Sequence, residues 1–511
     1  MKYSKRNHLT IIFLFIASIF VQYYFINPIV FSDQMEYFRS AVIFPKFSEN
    51  PSHWNLRLGL IIPVSILFKI FGYAELTYYL IPVLCMAFLI TLVFLLGETL
   101  FNYRVGLMSA FWMLFMPGIY LESGHLLPDI PATCCILAGL TLLIINNKNK
   151  NKDKPSSSRK TFILYILSGA FFGWSYLIKE YFLFFFILVP IYFLISKTPI
   201  RYLFAFLAGA FFVAFFELFI GFIIFRNPFI RFDATNPRDI WGHVEKDVGI
   251  IVSYLPSLLK SNGNNMTFLL ALIAIIGSIP QIIKKNKELL FLLTWVVLIY
   301  GFYTGLGLLP VIFNWENKVL LRPFISRYWI PIFPPLIISG IAIIEMTILS
   351  ILEKIKVKIQ FSNFITYCLL FFMIIISGFW GYYQIKDEED LIRNGNDHYL
   401  ELRNYLRVSN QPTGGIWVIR DISTEYDNIL RIYAHDFWGK EIWYGRIRHL
   451  NNDRDFMHLY EIPSGYVIVD REYYHPDYNN PVPDYLGTPP ETWDIVFESE
   501  NGRIALYSAN K

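Results

Sequence analysis

"LRLGLIIPVSILFKIFG" occupies residues 56–72, and whether it crosses a membrane decides the fold. It is apolar, but it is short and holds Arg57, Pro63 and Lys69. The surrounding chain is greasier still. Hydrophobic residues make up 55% of the 511 and charged residues only 16%, against about 25% charged in soluble domains. Runs such as "LTIIFLFIASIFVQYYFIN" and "RYLFAFLAGAFFVAFFELFIGFIIF" indicate a polytopic α-helical membrane protein. The first run is long and no small-residue cleavage site follows it, so it is read as a retained span. Candidate spans are 9–27, 74–97, 105–121, 128–146, 162–178, 181–196, 202–225, 267–283, 289–310, 328–351 and 362–385.

The lysines settle the status of 56–72. "MKYSKRNH" puts the N-terminus on the cytoplasmic side, and "NNKNKNKDKPSSSRK" (146–160) belongs there too. If 56–72 spans, the crossings before 146–160 are odd in number and that loop lands outside. If it lies at the outer interface, every basic loop falls inside, including "KTPIR", "KKNK" and "EKIKVK". The sequence therefore predicts about eleven spans, with 56–72 a non-spanning juxtamembrane helix. Residues 1–385 form the membrane domain, with an outer loop at 28–73. Residues 386–511 turn polar, with strand-like "GGIWVIRD", "GYVIVD", "WDIVFES" and "RIALYS" among helical patterns such as "DHYLELRNYLR" and "EYDNILRIYAHDF". They are expected to form a small extracytoplasmic α/β domain, with "YYHPDYNNPVPDYLGTPPETW" as a loop inside it. No internal repeat is visible.

A net charge of +4 gives no reason to expect a nucleic-acid partner. Cys85, Cys134, Cys135 and Cys368 all lie in hydrophobic runs, without metal-ligand or disulfide spacing, and read as apolar packing residues.

The charges at the outer face carry the chemistry. "FSDQMEYFRSA" (31–41) follows the first span, and Asp33 and Glu36 share one helical face. A solvated interfacial helix explains them as well as a working carboxylate does. Asp129, in "ESGHLLPDIPATCC", sits at the outer mouth of the fourth span with Glu122 and His125 nearby. A helix cap explains it on local grounds. Lys179 and Glu180 are the only charges in "FFGWSYLIKEYFLFFF". A tight hairpin with snorkelling charges accounts for Glu180. It accounts less well for a lysine on the outer side, against the inward bias of positive charge. Arg57, Arg322 and Arg327 are further outer cations. Carboxylates and cations at one membrane face suit group transfer from a lipid-linked phosphate: a base for the acceptor, cations for the leaving group. No glycine-rich phosphate loop calls for a soluble nucleotide. A lipid-sugar flippase would place charges near the bilayer midplane and show repeat symmetry, which this pattern lacks.

In order and spacing, "FSDQMEYF", "FKIFG", "LFNYRVGLMSAF", "LLPDIPA", "GWSYLIKEY" and "RYWIPIFPPLIISG" resemble the GT-C glycosyltransferases of the protein O-mannosyltransferase and aminoarabinose transferase type. The resemblance covers roughly 10–350. It implies a GT-C fold and an inverting transfer of a hexose or pentose from a polyprenyl-phosphate sugar. The acceptor would be a glycan, lipid or protein, at the outer face of the plasma membrane. It makes Asp33 the catalytic acid residue, Asp129 the second aspartate and Lys179 a donor-phosphate ligand, with Arg57 and Arg327 beside it. Glu36, His125 and Tyr328 are the candidates for sugar or acceptor contacts. The family's acidic pair at the first loop is Asp33–Gln34 here, leaving Glu36 as the nearby second acid, and "HWNLRLG" replaces its "K-P-P". No cofactor and no resident metal are implied, although two acids beside a phosphate leave a divalent cation open. A lipid-diphosphate-dependent oligosaccharyltransferase or ligase is the neighbouring alternative.

Overall fold

The computed structural model describes residues 5–24, 28–29, 33–47, 51–116, 119, 122–150, 158–234, 248–261, 265–312, 326–356, 359–408, 416–418, 423–442, 447–449, 465–470 and 491–509. Helices dominate: α1 (Lys5–Tyr24), α2 (Asp33–Ile43), α3 (Leu58–Phe71), α4 (Glu75–Leu100), α5 (Tyr103–Leu114), α6 (Asp129–Lys150), α7 (Ser158–Ile178), α8 (Leu188–Ser196) and α9 (Arg201–Phe225). There follow α10 (Ile230–Ala234), α11 (Val248–Ser261), α12 (Asn265–Ile283), α13 (Lys287–Ile312), α14 (Phe333–Lys354), α15 (Ile359–Val408) and α16 (Ser423–Tyr433). Among the described residues nine helices are long and apolar enough to cross a membrane. The protein is an integral membrane protein.

The nine correspond to nine of the expected spans, and the other two expected spans are shorter. α5 stops at Leu114, where the Phe115 amide bonds back to the carbonyls of Phe111 and Trp112; Pro117 and Gly118 follow in the sequence. The 181–196 segment begins as a 3₁₀ helix, Glu180–Ile187, and becomes α-helical only at Leu188. Pro190 then falls in the first turn of α8, where its missing N–H costs nothing. α3 has 14 residues and reaches only about 21 Å at 1.5 Å per residue, short of a hydrocarbon core of about 30 Å.

The chain divides into two compact units. The first is Met1–Ile26, Lys46–Leu60 and Pro82–Lys386; the second is Asn27–Pro45, Ile61–Ile81 and Asp387–Lys511. In the first unit, α7 packs against α6 on one side and α9 on another. Gly169 and Gly209 make the second crossing possible: a Cβ on Gly169 would lie 1.8 Å from the Phe206 carbonyl oxygen, and one on Gly209 would lie 1.9 Å from that of Ile166. Such reciprocal small-residue contacts let membrane helices approach backbone to backbone. Against α6, the Ser168 hydroxyl donates to the Gly139 carbonyl at 2.7 Å, and Phe172 fills the space above Gly139.

The second unit holds a five-stranded sheet: β1 (Ile416–Val418), β2 (Ile447–His449), β3 (Gly465–Asp470), β4 (Asp494–Glu498) and β5 (Ile504–Ala509), in the order β2-β1-β3-β5-β4. β1 pairs parallel with β2 and β3, whereas β5 pairs antiparallel with β3 and β4. The four strand-like runs all become strands, and β2 is a fifth, three-residue strand with no clear apolar alternation. Of the proline-rich run, 473–490 lies outside the described residues. Where separate helices were expected, the last span and "DHYLELRNYLR" form one 50-residue helix, α15. No proline interrupts 359–408, so nothing in the sequence stops it. α2, the end of α3 and the start of α4 join this unit: Tyr433 of α16 donates to the Ile29 carbonyl at 3.0 Å, and Arg403 of α15 pairs with Glu75 at 3.1 Å.

Candidate functional site

Two antiparallel helices pinned at one level bring together residues equally far from the pin. Asp129 lies ten residues before Gly139, and Lys179 lies eleven after Ser168. The Ser168–Gly139 contact therefore delivers both to the same end of the bundle, roughly 15 Å away at 1.5 Å per residue. There the Lys179 ammonium donates to Asp129 Oδ1. Each residue is 2% exposed. Asp129 opens α6 after Pro128, and Lys179 has left the helix in an extended conformation.

Three other segments close around the pair. Gly59 is packed so tightly on α7 that a Cβ there would sit 2.7 Å from the backbone nitrogen of Ile178, and its carbonyl accepts from Trp174 Nε1 at 3.1 Å. This seats Arg57 beside the end of α7, where it meets Glu180 at 3.5 Å. Arg231 of α10 donates to the carbonyls of Tyr176 and Leu177, both at 3.2 Å, the favourable place for a cation at a helix C-terminus. The same guanidinium binds Glu217 at 2.6 Å and lies 3.8 Å from Glu180. The third segment is the 3₁₀ turn Ser326–Ile332, which leads into Pro334 and Pro335 of α14. Trp329 anchors it, fully buried with its ring 5.3 Å from that of Tyr303. On either side of Pro331 the chain has little freedom, so the anchor fixes Arg327 and Tyr328. Arg327 Nε lies 3.7 Å from Asp129 Oδ2, and Lys179 lies 4.0 Å from the centre of the Tyr328 ring, a cation–π contact.

Among the described residues, Lys179, Arg57, Arg327 and Arg231 are thus joined by ion pairs to Asp129, Glu180 and Glu217 at this end. Asp129 Oδ2 has no hydrogen-bond partner. Burial lowers Lys179 to about 8, with the Arg57 and Arg327 charges acting the same way and Asp129 opposing them. His125, half-buried in the turn before α6, is lowered to about 4, first by burial and then by Arg327. It is a neutral imidazole at pH 7 and adds no charge. Arginines and a lysine grouped at one end of the bundle are the side chains that suit an anionic group.

Six of the eight sequence candidates, Arg57, His125, Asp129, Lys179, Arg327 and Tyr328, gather in this unit. Asp33 and Glu36 belong to the other unit, in the first turn of α2. They are half-buried and on the stripe that also holds Arg39, 3.6 Å from Glu36. Gln34 faces the opposite way. It is 1% exposed, and its side-chain oxygen accepts from the Tyr78 hydroxyl. The acid expected at 34 would be a buried carboxylate here; the amide makes the same bond without the cost of a buried charge. Arg322 lies outside the described residues. Glu180 is a paired member of the cluster and not a snorkelling charge. Glu217 and Arg231 have no motif to reveal them, and the lone acid in an apolar run is the signal for Glu217. Among the described residues no group of three or more His, Cys, Asp or Glu is placed to hold a metal ion.

Residues 62–220 match the family model described as dolichyl-phosphate-mannose-protein mannosyltransferase. No curated protein matches the chain in sequence. Among solved structures, ArnT from Cupriavidus metallidurans in the apo state is similar with a TM-score of 0.60 and 12% identity, over 97% of each chain. The same protein bound to undecaprenyl phosphate gives 0.56 and 11%, again over 97% of each chain. The archaeal oligosaccharyltransferase AglB from Archaeoglobus fulgidus, in complex with an inhibitory peptide and a dolichol-phosphate, gives 0.52 and 13%, over 93% of this chain and 70% of that one. At these identities the likeness to the solved structures is one of fold.

Proposed function

We propose that this chain is a membrane glycosyltransferase of the GT-C superfamily and moves a monosaccharide from a polyprenyl-phosphate sugar to a glycan, lipid or protein acceptor, a reading supported by the family-model match and the ArnT-like fold. The observation that carries the proposal is the buried Asp129–Lys179 pair with Arg57 and Arg327 around it. The carrier class is taken over from ArnT and AglB, solved with undecaprenyl phosphate and a dolichol-phosphate.

In this reading Lys179, Arg57 and Arg327 hold the donor phosphate and stabilise its charge as it leaves. An acceptor oxygen attacks the anomeric carbon from the face opposite the phosphate. The carbon–oxygen bond to phosphate breaks with its electron pair going to phosphate, and the acceptor proton passes to Asp33. Asp129 orients the acceptor and keeps Lys179 in place. Glu36, His125 and Tyr328 contact sugar or acceptor. Residues 1–385 carry the reaction and 386–511 form an extracytoplasmic domain; the basic loops support putting both on the outer side of the plasma membrane.

The test is transfer by the purified protein from polyprenyl-phosphate sugars, wild type against Asp33→Asn. The variant should lose about 10²–10⁴-fold, the range for a positioned base; unimpaired transfer rejects Asp33. A donor preference for polyprenyl diphosphates would move the chain to the oligosaccharyltransferase class. Labelling of 146–160 from outside intact cells would overturn the outer assignment.

A further inference from the structure

Within the second unit, residues 435–442 form a tight turn with an unusual surface. His435 and Glu441 pair as an isolated antiparallel bridge, and the Ile442 amide donates to the Ala434 carbonyl at 2.8 Å. Between them the Asp436 carboxylate accepts from the amides of Trp438 and Lys440, at 2.9 and 2.8 Å. Gly439, at φ +94°, completes the reversal in a region that favours glycine. A turn held this firmly presents its side chains in fixed directions. What it presents is apolar: Trp438 is 67% exposed, and Phe437 and Ile442 are exposed beside it.

The turn is fastened to the foot of a membrane span. The Phe437 carbonyl accepts from the Leu76 amide at 3.2 Å, and Leu76 is the second residue of α4, one of the nine candidate spans. The Gly439 backbone presses on the last residue of α3, so that a Cβ there would lie 2.0 Å from the Phe71 carbonyl oxygen. α3 shows the same character at this end. Ile66, Lys69 and Ile70 are exposed on one face, the isoleucines at 53% and 66%, with the lysine placed to reach outward from between them.

We propose that the 435–442 turn is a membrane-interface anchor that places Trp438 and Phe437 in the lipid head-group layer beside the first turn of α4. The occupant follows from position. A span that begins at Glu75 brings the bilayer boundary to within a few residues of Leu76, and Phe437 bonds to Leu76 itself. Trp is the residue type most at home in that layer, with an apolar ring for the chain region and an indole N–H for the head groups. Exposed Lys440 and Glu441 supply the polar edge of the same turn. The second unit would then touch lipid through its own side chains.

The experiment is a nitroxide attached at Trp438→Cys in the full-length chain with Cys368→Ser, reconstituted in nanodiscs of phosphatidylcholine and phosphatidylglycerol. Collision rates with oxygen and with a neutral, water-soluble nickel chelate are compared with those at Glu500→Cys, an exposed position in the turn between β4 and β5. Expected is a nickel collision rate several-fold lower at 438 than at 500, with oxygen access retained. Nickel access equal to that at 500 would overturn the proposal and leave an aqueous ligand as the occupant; low access to both agents would overturn it in favour of a protein partner. Quenching by brominated lipid gives an independent reading with the native tryptophan in place: wild type should be quenched more than Trp438→Leu, and equal quenching rejects the anchor.

Discussion

At one end of the membrane unit Glu345 gives both carboxylate oxygens to neighbours, Oε1 to Arg104 at 2.5 Å and Oε2 to Asn102 at 2.8 Å. Arg104 binds Asn363 as well, and Asn102 caps α5 through the amides of Arg104 and Val105. Lys148 closes α4 by donating to the carbonyls of Thr99 and Leu100, at 2.6 and 3.0 Å. At the opposite end Asp129 is held through Oδ1, while among the described residues Oδ2 has no hydrogen bond and lies 3.7 Å from Arg327 Nε. Both clusters are buried ion pairs between separate helices. The Glu345 carboxylate fastens helix ends through both oxygens; Asp129 keeps Oδ2 as an acceptor without a donor, beside Arg327. Buried charge alone therefore does not mark a site. Glu345 and Asp129 differ in that both oxygens of the first are hydrogen-bonded and one oxygen of the second is not; Glu98, near the Glu345 end, also keeps a buried oxygen without a hydrogen bond, so the surrounding cations complete the distinction.

Asp129→Asn should sharpen that difference most. It should lower transfer by at least about 10²-fold, because it removes an acid from the proposed reacting region and strands Lys179. Glu345→Gln should leave turnover per folded molecule unchanged and destabilise by about 3 kcal/mol, the scale for breaking one partner of a buried pair, read as a fall in thermal midpoint in detergent. If Glu345→Gln abolishes transfer while remaining folded, the contrast between the ends fails. The smallest effect is on pH dependence. Lys179 is cationic below about 8 and loses its proton above it, so the donor KM should rise as pH passes through about 8 while kcat changes less. Lys179→Arg should remove that limb, since a guanidinium keeps its charge; a limb that persists in the arginine variant belongs to another group.

Hydropathy made the bundle legible, because lipid demands long apolar helices whatever their partners. The weak points were those where side-chain packing overrides composition. Glu180–Ile187 is as apolar as any span, yet winds as a 3₁₀ helix ahead of Pro190. The site was half legible. Lys179 and Asp129 stood out as charges where lipid penalises charge, whereas Arg231 follows a polar break and looks like any loop residue. Its value comes from reaching the last carbonyls of α7, a relation no local window contains. Gln34 was opaque for a related reason: its role depends on Tyr78, 44 residues away.

The second unit draws its parts from both ends of the chain, Asn27–Pro45 and Ile61–Ile81 with Asp387–Lys511. That order sets a timetable for biosynthesis. α2, with Asp33 in its first turn, is made early, yet Tyr433, which bonds next to it at Ile29, is not translated until some 400 residues later. At about 5–20 residues per second, the early helices wait on the order of 20–80 s for their seat. Meanwhile the bundle carrying Lys179 and Asp129 can insert and pack. An interrupted chain would then hold the assembled Asp129–Lys179 cluster without a seated Asp33 helix, so that the acid proposed to start the reaction is fixed in place only once the C-terminal unit has emerged.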